Sequence, residues 1–190
     1  MCDKYCPNGV EYKTLGEICE ISRGRVISKD FIRANEGSYP VYSSQTLDNG
    51  ILGYISSWDY NGEYLTWTTD GANAGSVFYR NGYFSITNVC GLLKVNDSSI
   101  IIKFLYYWLS KNAQSYVNSG MGNPKLMSNT VSQISVPVPP LPVQEEIVRI
   151  LDRFDALVND ISIGLPAELS ARRKQYEYYR DRLLTFERAK

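Results

Sequence analysis

Which residues of this chain could perform chemistry is settled first by what is missing. The 190 residues include no histidine, which removes imidazole acid–base work, Ser-His-Asp triads and most catalytic zinc sites. No GxGxxG, Walker A, nucleophile-elbow or HExxH pattern occurs. Asp3, Glu11 and Lys13 loosely imitate a nuclease carboxylate–lysine set, but they fall in a polar leader rather than a core-strand pattern. Glu145 and Glu146 read as a solvated helix face or as favourable charge at a helix N-terminus.

Residue types suited to binding are better represented. Arg23, Arg25, Lys29 and Arg33, opposed only by Asp30, give a local excess of three positive charges in a glycine-containing loop. Singly, each reads as an ordinary solvated side chain. Together with Ser43, Ser44, Gln45, Thr68, Thr69 and Asn73 they form the mixture that touches phosphates and base edges. The loop 118–125 is a second candidate. Its glycines at 120 and 122 let backbone amides approach a phosphate, and Asn123 and Lys125 add polar side chains; it also reads as a plain connector.

Composition limits the partners. Lysine plus arginine and aspartate plus glutamate both number 20, so the net charge is zero. Residues 1–140 hold 11 basic and 11 acidic side chains, and residues 141–190 hold 9 of each. Non-specific nucleic-acid binders are usually basic, so nucleic-acid contact here has to be local or shared. Cys2 and Cys6 lack CxxC spacing, and Cys19 and Cys90 sit in apolar surroundings. Reduced cytosolic thiols are expected, with metal or disulfide use as the alternative. No apolar run approaches a membrane span, since the best candidate, 100–109, is broken by Lys103. The leader carries no secretion pattern, so a cytoplasmic location without membrane contact is expected.

These residues need elements to hold them. Thr14 and Glu17 have capping-box spacing for a short helical turn. From there to residue 95, runs at 39–42, 51–55, 64–69, 76–80, 84–87 and 90–95 are rich in aromatic and β-branched residues. Asn49-Gly50, Asn61-Gly62 and Asn81-Gly82 each separate two runs, which predicts hairpins. Ser98 or Ser99 is placed to cap a helix running to residue 115, with Ile101, Phe104, Leu105, Trp108 and Leu109 facing the sheet. A last strand follows at 134–138. The spacing therefore predicts an α+β fold with a mixed, mainly antiparallel sheet in residues 1–140.

The proline-rich stretch 137–142 predicts a hinge to a helical arm, residues 141–190, with Pro142 in the first helical turn. Val143, Ile147, Ile150, Phe154, Leu157 and Ile161 recur at alternating intervals of four and three, a narrow coiled-coil stripe that calls for a partner helix. Gly164 reads as a C-cap, and Pro166 as the start of a second helix. There Leu169, Tyr176 and Leu183 repeat every seven residues, with Arg172 and Tyr179 between them. Arg172 in such a seam would fix register or partner choice.

Several segments together resemble the specificity (S) subunits of type I restriction–modification systems. Residues 12–18 followed by Gly24 look like the entry to a target recognition domain, and 39–44 and 69–77 are similar to its middle. Residues 104–109 look like the family's helix. The most specific signal is Pro139-Pro140-Leu141-Pro142-Val143-Gln144-Glu145-Glu146-Ile147-Val148, followed by Leu151 and Phe154. Residues 164–168 and 174–180 look like the conserved region of one subgroup. Full members carry two recognition domains and two helical regions, whereas this chain has one of each, so it resembles a half-length form. Its start at Met1 favours a true N-terminus.

The resemblance implies a non-catalytic DNA reader for one half of a bipartite site. It implies double-stranded DNA and methyltransferase (M) subunits as partners, with restriction (R) subunits a further one. S-adenosylmethionine, ATP and magnesium would belong to those subunits, with no cofactor in this chain. Self-association of two arms about a two-fold axis would supply the second half. The first arm helix is about 33 Å long at about 1.5 Å per residue, close to the roughly 34–36 Å turn of B-DNA. A different reading is a protein-interaction adaptor with a coiled-coil arm and no DNA contact; an enzyme of unrecognised chemistry is more remote.

Overall fold

A computed structural model describes residues 6–7, 9–120, 122–160 and 166–186. Cys2, Asp3, Ile161 and Gly164 lie outside the described residues, as do the side chains of Leu157 and Leu169.

The chain opens with β1 (Glu11–Thr14), α1 (Leu15–Ile18) and β2 (Cys19–Arg23). The capping box at Thr14 forms as its spacing predicts: the Thr14 amide donates to Glu17 Oε2 at 2.6 Å. Residues 11–14 are part of a sheet, however. β1 pairs antiparallel with β8 (Ser135–Val138), Tyr12 opposite Pro137, so Glu11 and Lys13 lie on a strand of a two-stranded sheet. Proline is tolerated there because the strand has a free edge.

The main sheet has six strands in the order β2, β7 (Cys90–Val95), β5 (Tyr60–Thr68), β6 (Val77–Ile86), β3 (Glu36–Tyr42), β4 (Ile51–Ile55). Every pairing is antiparallel except β3 with β6, which run parallel at Val41–Ser85 and Tyr42–Ile86. The mixed, mainly antiparallel α+β expectation holds. A short helix α2 (Lys29–Ala34), capped by Ser28 Oγ, precedes β3.

Two of the three predicted hairpin turns are not turns. Asn49-Gly50 does lie in the β3–β4 connection, at the end of a one-turn 3-10 segment, Leu47–Gly50. Asn61-Gly62 and Asn81-Gly82 instead sit inside β5 and β6, with Gly62 directly opposite Gly82. Both glycines have left-handed backbone (φ +125° and +98°), which only residues without a Cβ adopt cheaply. The expected runs 76–80 and 84–87 are therefore one strand, whose far half turns to meet β3. The real β5–β6 connection is the segment 69–76.

One face of the sheet carries Leu65, Trp67 and Leu93 onto helix α3 (Ile102–Asn112), which contributes Phe104, Leu105, Trp108 and Leu109. Gly91 is required here, because a Cβ would come within 2.2 Å of the Trp67 ring. The opposite face holds a smaller cluster of Phe84, Ile86, Cys90 and Leu92 under Tyr42, Tyr60 and Tyr64. Helix α3 starts later than predicted. Ser99 bonds Asp97 Oδ1 through its amide (2.8 Å) and hydroxyl (2.7 Å) and does not cap. The Ile101 amide is taken by Gln144 Oε1 at 2.8 Å.

Gln144 belongs to the long helix α5 (Leu141–Asp160), which follows the short α4 (Ser128–Ser132) and β8. Its side chain is fully buried, and Nε2 donates to Ser99 O and Pro139 O, both at 2.7 Å. Beside it Val143, Ile147 and Leu151 join the Trp67–Phe104 core. This corrects the lone exposed seam. The buried stripe advances by four residues, so Leu151 is buried while Ile150 is only half-buried. A helix laid against a globular core follows the i, i+4 ridge rather than a 3.5-residue repeat.

Further along, α5 packs against α6 (Pro166–Leu183) of the same chain. Phe154 stacks on Tyr179 at 5.5 Å and meets the Tyr176 edge at 6.4 Å. Leu184 is buried and Leu183 partly so, while Arg172 is half-buried. Phe186 then reaches Phe104 at 6.1 Å and accepts a bond from the Tyr12 hydroxyl at 3.1 Å. Lys103 and the Tyr107 hydroxyl meet the two Asp152 oxygens at 2.7 and 2.6 Å, tying α3 to α5.

Two outcomes follow. Gln144→Ala strands three backbone partners and should cost about 3 kcal/mol in urea unfolding, with an unchanged m-value. Lys13 and Ser99 hold the Asp97 carboxyl down to about 2. A depressed folded pKa gives stability that is present above the ordinary carboxylate range and lost as pH falls towards 2. Unfolding measured between pH 5 and pH 2 should therefore be less pH-dependent for Asp97→Asn than for wild type.

Candidate nucleic-acid interface

The residues selected for binding chemistry are far apart in sequence, but a line of hydrogen bonds joins many of them along one rim of the main sheet. It starts in the loop 43–50, where the Thr87 hydroxyl donates to Ser43 Oγ at 3.0 Å. Thr87 N donates to Tyr42 O, and Thr87 also bridges Arg25. Thr69 N donates to Val89 O at 3.2 Å, and Leu126 N to Thr69 O at 2.8 Å. Gly71 N then donates to Pro124 O at 3.0 Å, and the backbones of Asp70 and Lys125 form an antiparallel bridge. The turn 70–76 and the loop 118–125 thus lie side by side.

Arg23 ends β2 at this rim, exposed, and its Nη2 donates to Thr69 Oγ1 at 2.8 Å. Thr69 itself is fully buried, so it orients Arg23 and presents no side chain outward. Arg25 is engaged by Asp59, with Nε 3.0 Å from Oδ2, and its guanidinium lies 5.2 Å from the centre of the Phe31 ring. Gln45 Nε2 donates to the Ile51 carbonyl at the start of β4, which commits one of its two N–H groups close by in the chain. Ser44 and Asn73 are half-buried beside these groups. Asn123 and Lys125 are exposed, and the Lys125 amide and carbonyl pair with Asn118 at 3.0 and 2.8 Å. Together with Gly120 and Gly122, these residues line a shallow cleft. Lys29 opens α2, and Arg33 pairs with Asp30 on that helix, apart from this line of bonds.

Sequence reasoning missed several features. The Asn118–Lys125 pairing that shapes the loop left no periodic signal. Tyr39, Trp58 and Tyr83 form an edge-to-face trio with centroids 4.7 to 5.7 Å apart, in which Trp58 and Tyr83 are exposed. Tyr54, in β4, is exposed too. Arg80 lies in a strand where alternation gives no warning that it is buried. Among the described residues, no group of three or more His, Cys, Asp or Glu side chains could hold a metal ion. No helix there is long and apolar enough to cross a membrane.

Comparison with known proteins gives this geometry its context. Residues 7–171 match the family model described as the type I restriction modification DNA specificity domain. The chain belongs to that family. A Mycoplasma pneumoniae relative named as the N-terminus of a type I specificity subunit (S.MpnORF289P) is 53% identical over 172 residues, covering 88% of this chain and 92% of the relative. The MpnII type I restriction enzyme specificity subunit of the same organism is 46% identical over 90% of this chain, yet only 51% of its own length is matched. For S.MpnORF285P, 44% identical, the matched share is 56%. The specificity domain described here thus spans about half of several relatives. Among solved structures, the S subunit from M. genitalium superposes with a TM-score of 0.67 at 16% identity, covering 80% of this chain and 41% of that one. The HsdS subunit from Thermoanaerobacter tengcongensis gives 0.63 at 19%, covering 94% and 45%. At such identities the likeness concerns the fold.

Proposed function

We propose that this specificity domain reads one half of a bipartite DNA site and directs methyltransferase subunits, and through them restriction subunits, to it. The observation that carries this reading is the family match over residues 7–171, with a close relative named as a specificity-subunit N-terminus. The rim supports it physically. Exposed Arg23, Asn123 and Lys125, beside half-buried Ser44 and Asn73, offer the donors that phosphates and base edges accept. The chain itself is assigned no catalysis. S-adenosylmethionine, ATP and magnesium are assigned to the partner subunits. Residues 1–140 carry recognition and residues 141–190 carry assembly, although side chains from both share one core.

A second half-site requires a second reader, and several relatives extend to nearly twice the length matched here. Here it is supplied by a second copy through the helical arm. Val143 and Ile147 are committed to the body, so the surface left for pairing centres on α6, where Tyr178 and Tyr179 are exposed. Sedimentation of the chain at high micromolar concentration should give a dimer; a monomer there counts against self-pairing.

Methylated bases mapped in a cell carrying this chain and its methyltransferase should define a gapped palindrome. An unchanged methylation pattern would sink the DNA-reading role, and an adaptor without DNA contact would then stand. Arg23→Ala should cost about 1–3 kcal/mol of specific affinity in the assembled complex. Arg25→Ala should cost less, because its ion pair with Asp59 has to be given up for any DNA contact.

A further inference from the structure

Arg80, in the middle of β6, has only 2% of its surface exposed. Its Nε donates to Thr66 Oγ1 at 3.1 Å, whereas Nη1 and Nη2 have no hydrogen-bond partner among the described residues. Its guanidinium carbon lies 3.6 Å from the centre of the Tyr42 ring and 4.5 Å from that of Phe78. Thr68 Oγ1, two residues along β5 from Thr66, is also buried without a partner. An arginine stays protonated at physiological pH. Burying such a charge costs several kcal/mol, which one hydroxyl acceptor and two ring faces offset only in part, and a well-packed apolar side chain at the same place usually gives a fold at least as stable. Packing therefore gives no reason for arginine at this position.

The arrangement suits recognition. Thr66 fixes the rotation of the guanidinium through Nε, the Tyr42 ring fixes its plane, and the Nη1–Nη2 edge is left as a planar fork. What covers that fork is the loop 43–50. A Cβ added at Gly50 would lie 3.2 Å from Nη2, 3.1 Å from Gln45 O and 3.7 Å from Ser43 O, so loop backbone rests on the guanidinium. The loop closes mainly on itself, through Ser43 N to Gly50 O and Gln45 to Ile51, with Thr87 as its link to β6. Asp48, Asn49 and Gly50 all have left-handed backbone (φ 49°, 51° and 82°), a run that non-glycine residues adopt only at a cost, and Leu47 is 82% exposed. This cover can be exchanged without breaking the sheet.

We infer that Arg80 is a specificity-determining residue: when the loop 43–50 lifts, its Nη1–Nη2 edge takes a pair of acceptors on the DNA, the N7 and O6 of a guanine. A bidentate arginine–guanine contact is the commonest specific pairing in a major groove. The oxygens of a phosphate offer the same paired-acceptor chemistry. The inference rests on the DNA-reading role proposed above.

The test uses the chain assembled with its methyltransferase subunits, as wild type, Arg80→Met and Arg80→Lys. Each is selected against duplexes with a randomised centre, and affinity is then measured for the wild-type motif. Arg80→Met should keep or raise the melting temperature, bind that motif about 10- to 100-fold more weakly and leave one guanine position degenerate. Uniform weakening without a motif change, with a salt dependence shallower by about one counterion, would put the donor edge on a phosphate and overturn the guanine assignment. Arg80→Lys keeps the charge but not the fork, and should lose the same guanine. It decides the matter if the methionine variant fails to fold. The wild-type motif and affinity retained in a folded Arg80→Met, or failing that in Arg80→Lys, overturn the inference alone. A wild type that selects no motif overturns the DNA-reading role, and the inference with it.

Discussion

The position of every helix after β8 depends on one buried amide. Gln144 accepts from the amide of Ile101, the residue just before α3, and donates to the carbonyls of Ser99 and Pro139. It therefore does for α3 what the N3 glutamate of a capping box normally does, but from α5, 43 positions away. A helix start, a proline-rich strand exit and a long helix are held by three bonds from one side chain. Val143, Ile147 and Leu151 can then fill the core beside Phe104. The direction of α5 sets where Phe154 meets Tyr176 and Tyr179, and hence where α6 lies.

The sheet divides its labour by face. Trp67 and its neighbours commit one face to α3, and Gly91 allows the indole to lie flat enough for Nε1 to reach Leu126 O at 2.9 Å. The other face holds Tyr42, Phe84 and Arg80, with Tyr60, Tyr64, the turned half of β6 and the loop after β3 against it. The opposed glycines of β5 and β6 make that turn possible, because no side chain there resists the change of direction. The buried arginine belongs to this second, less filled side.

Much of the fold was legible in the sequence, because strands at 39–42, 51–55 and 90–95 and a helix around Phe104–Leu109 follow from local composition and period. What misled was also local. Asn-Gly pairs favour hairpin turns, but at Asn61-Gly62 and Asn81-Gly82 the two pairs face each other, and long-range ladder bonds outweigh turn preference. The stripe from Val143 looked unpartnered because its partner, the body, is not a helix of matching repeat. The family could be read from residues 139–148, whereas the candidate site could be read only as residue types. Sequence patterns do not show that Thr69 points inward to hold Arg23 from 46 positions away, that Asp59 engages Arg25, or that Arg80 is buried.

The contact between the Tyr12 hydroxyl and the Phe186 carbonyl makes the described chain a nearly closed ring in space. β1 lies against β8, and the segment after α6 returns to α3, so both extremities of the fold share one neighbourhood. In topological terms the start and the finish are interchangeable ports. A duplicated unit can be joined there by a short link without reopening either core, and a permuted one can be cut elsewhere. The number of such units on a polypeptide then becomes a matter of how ports are wired, independent of how each unit folds.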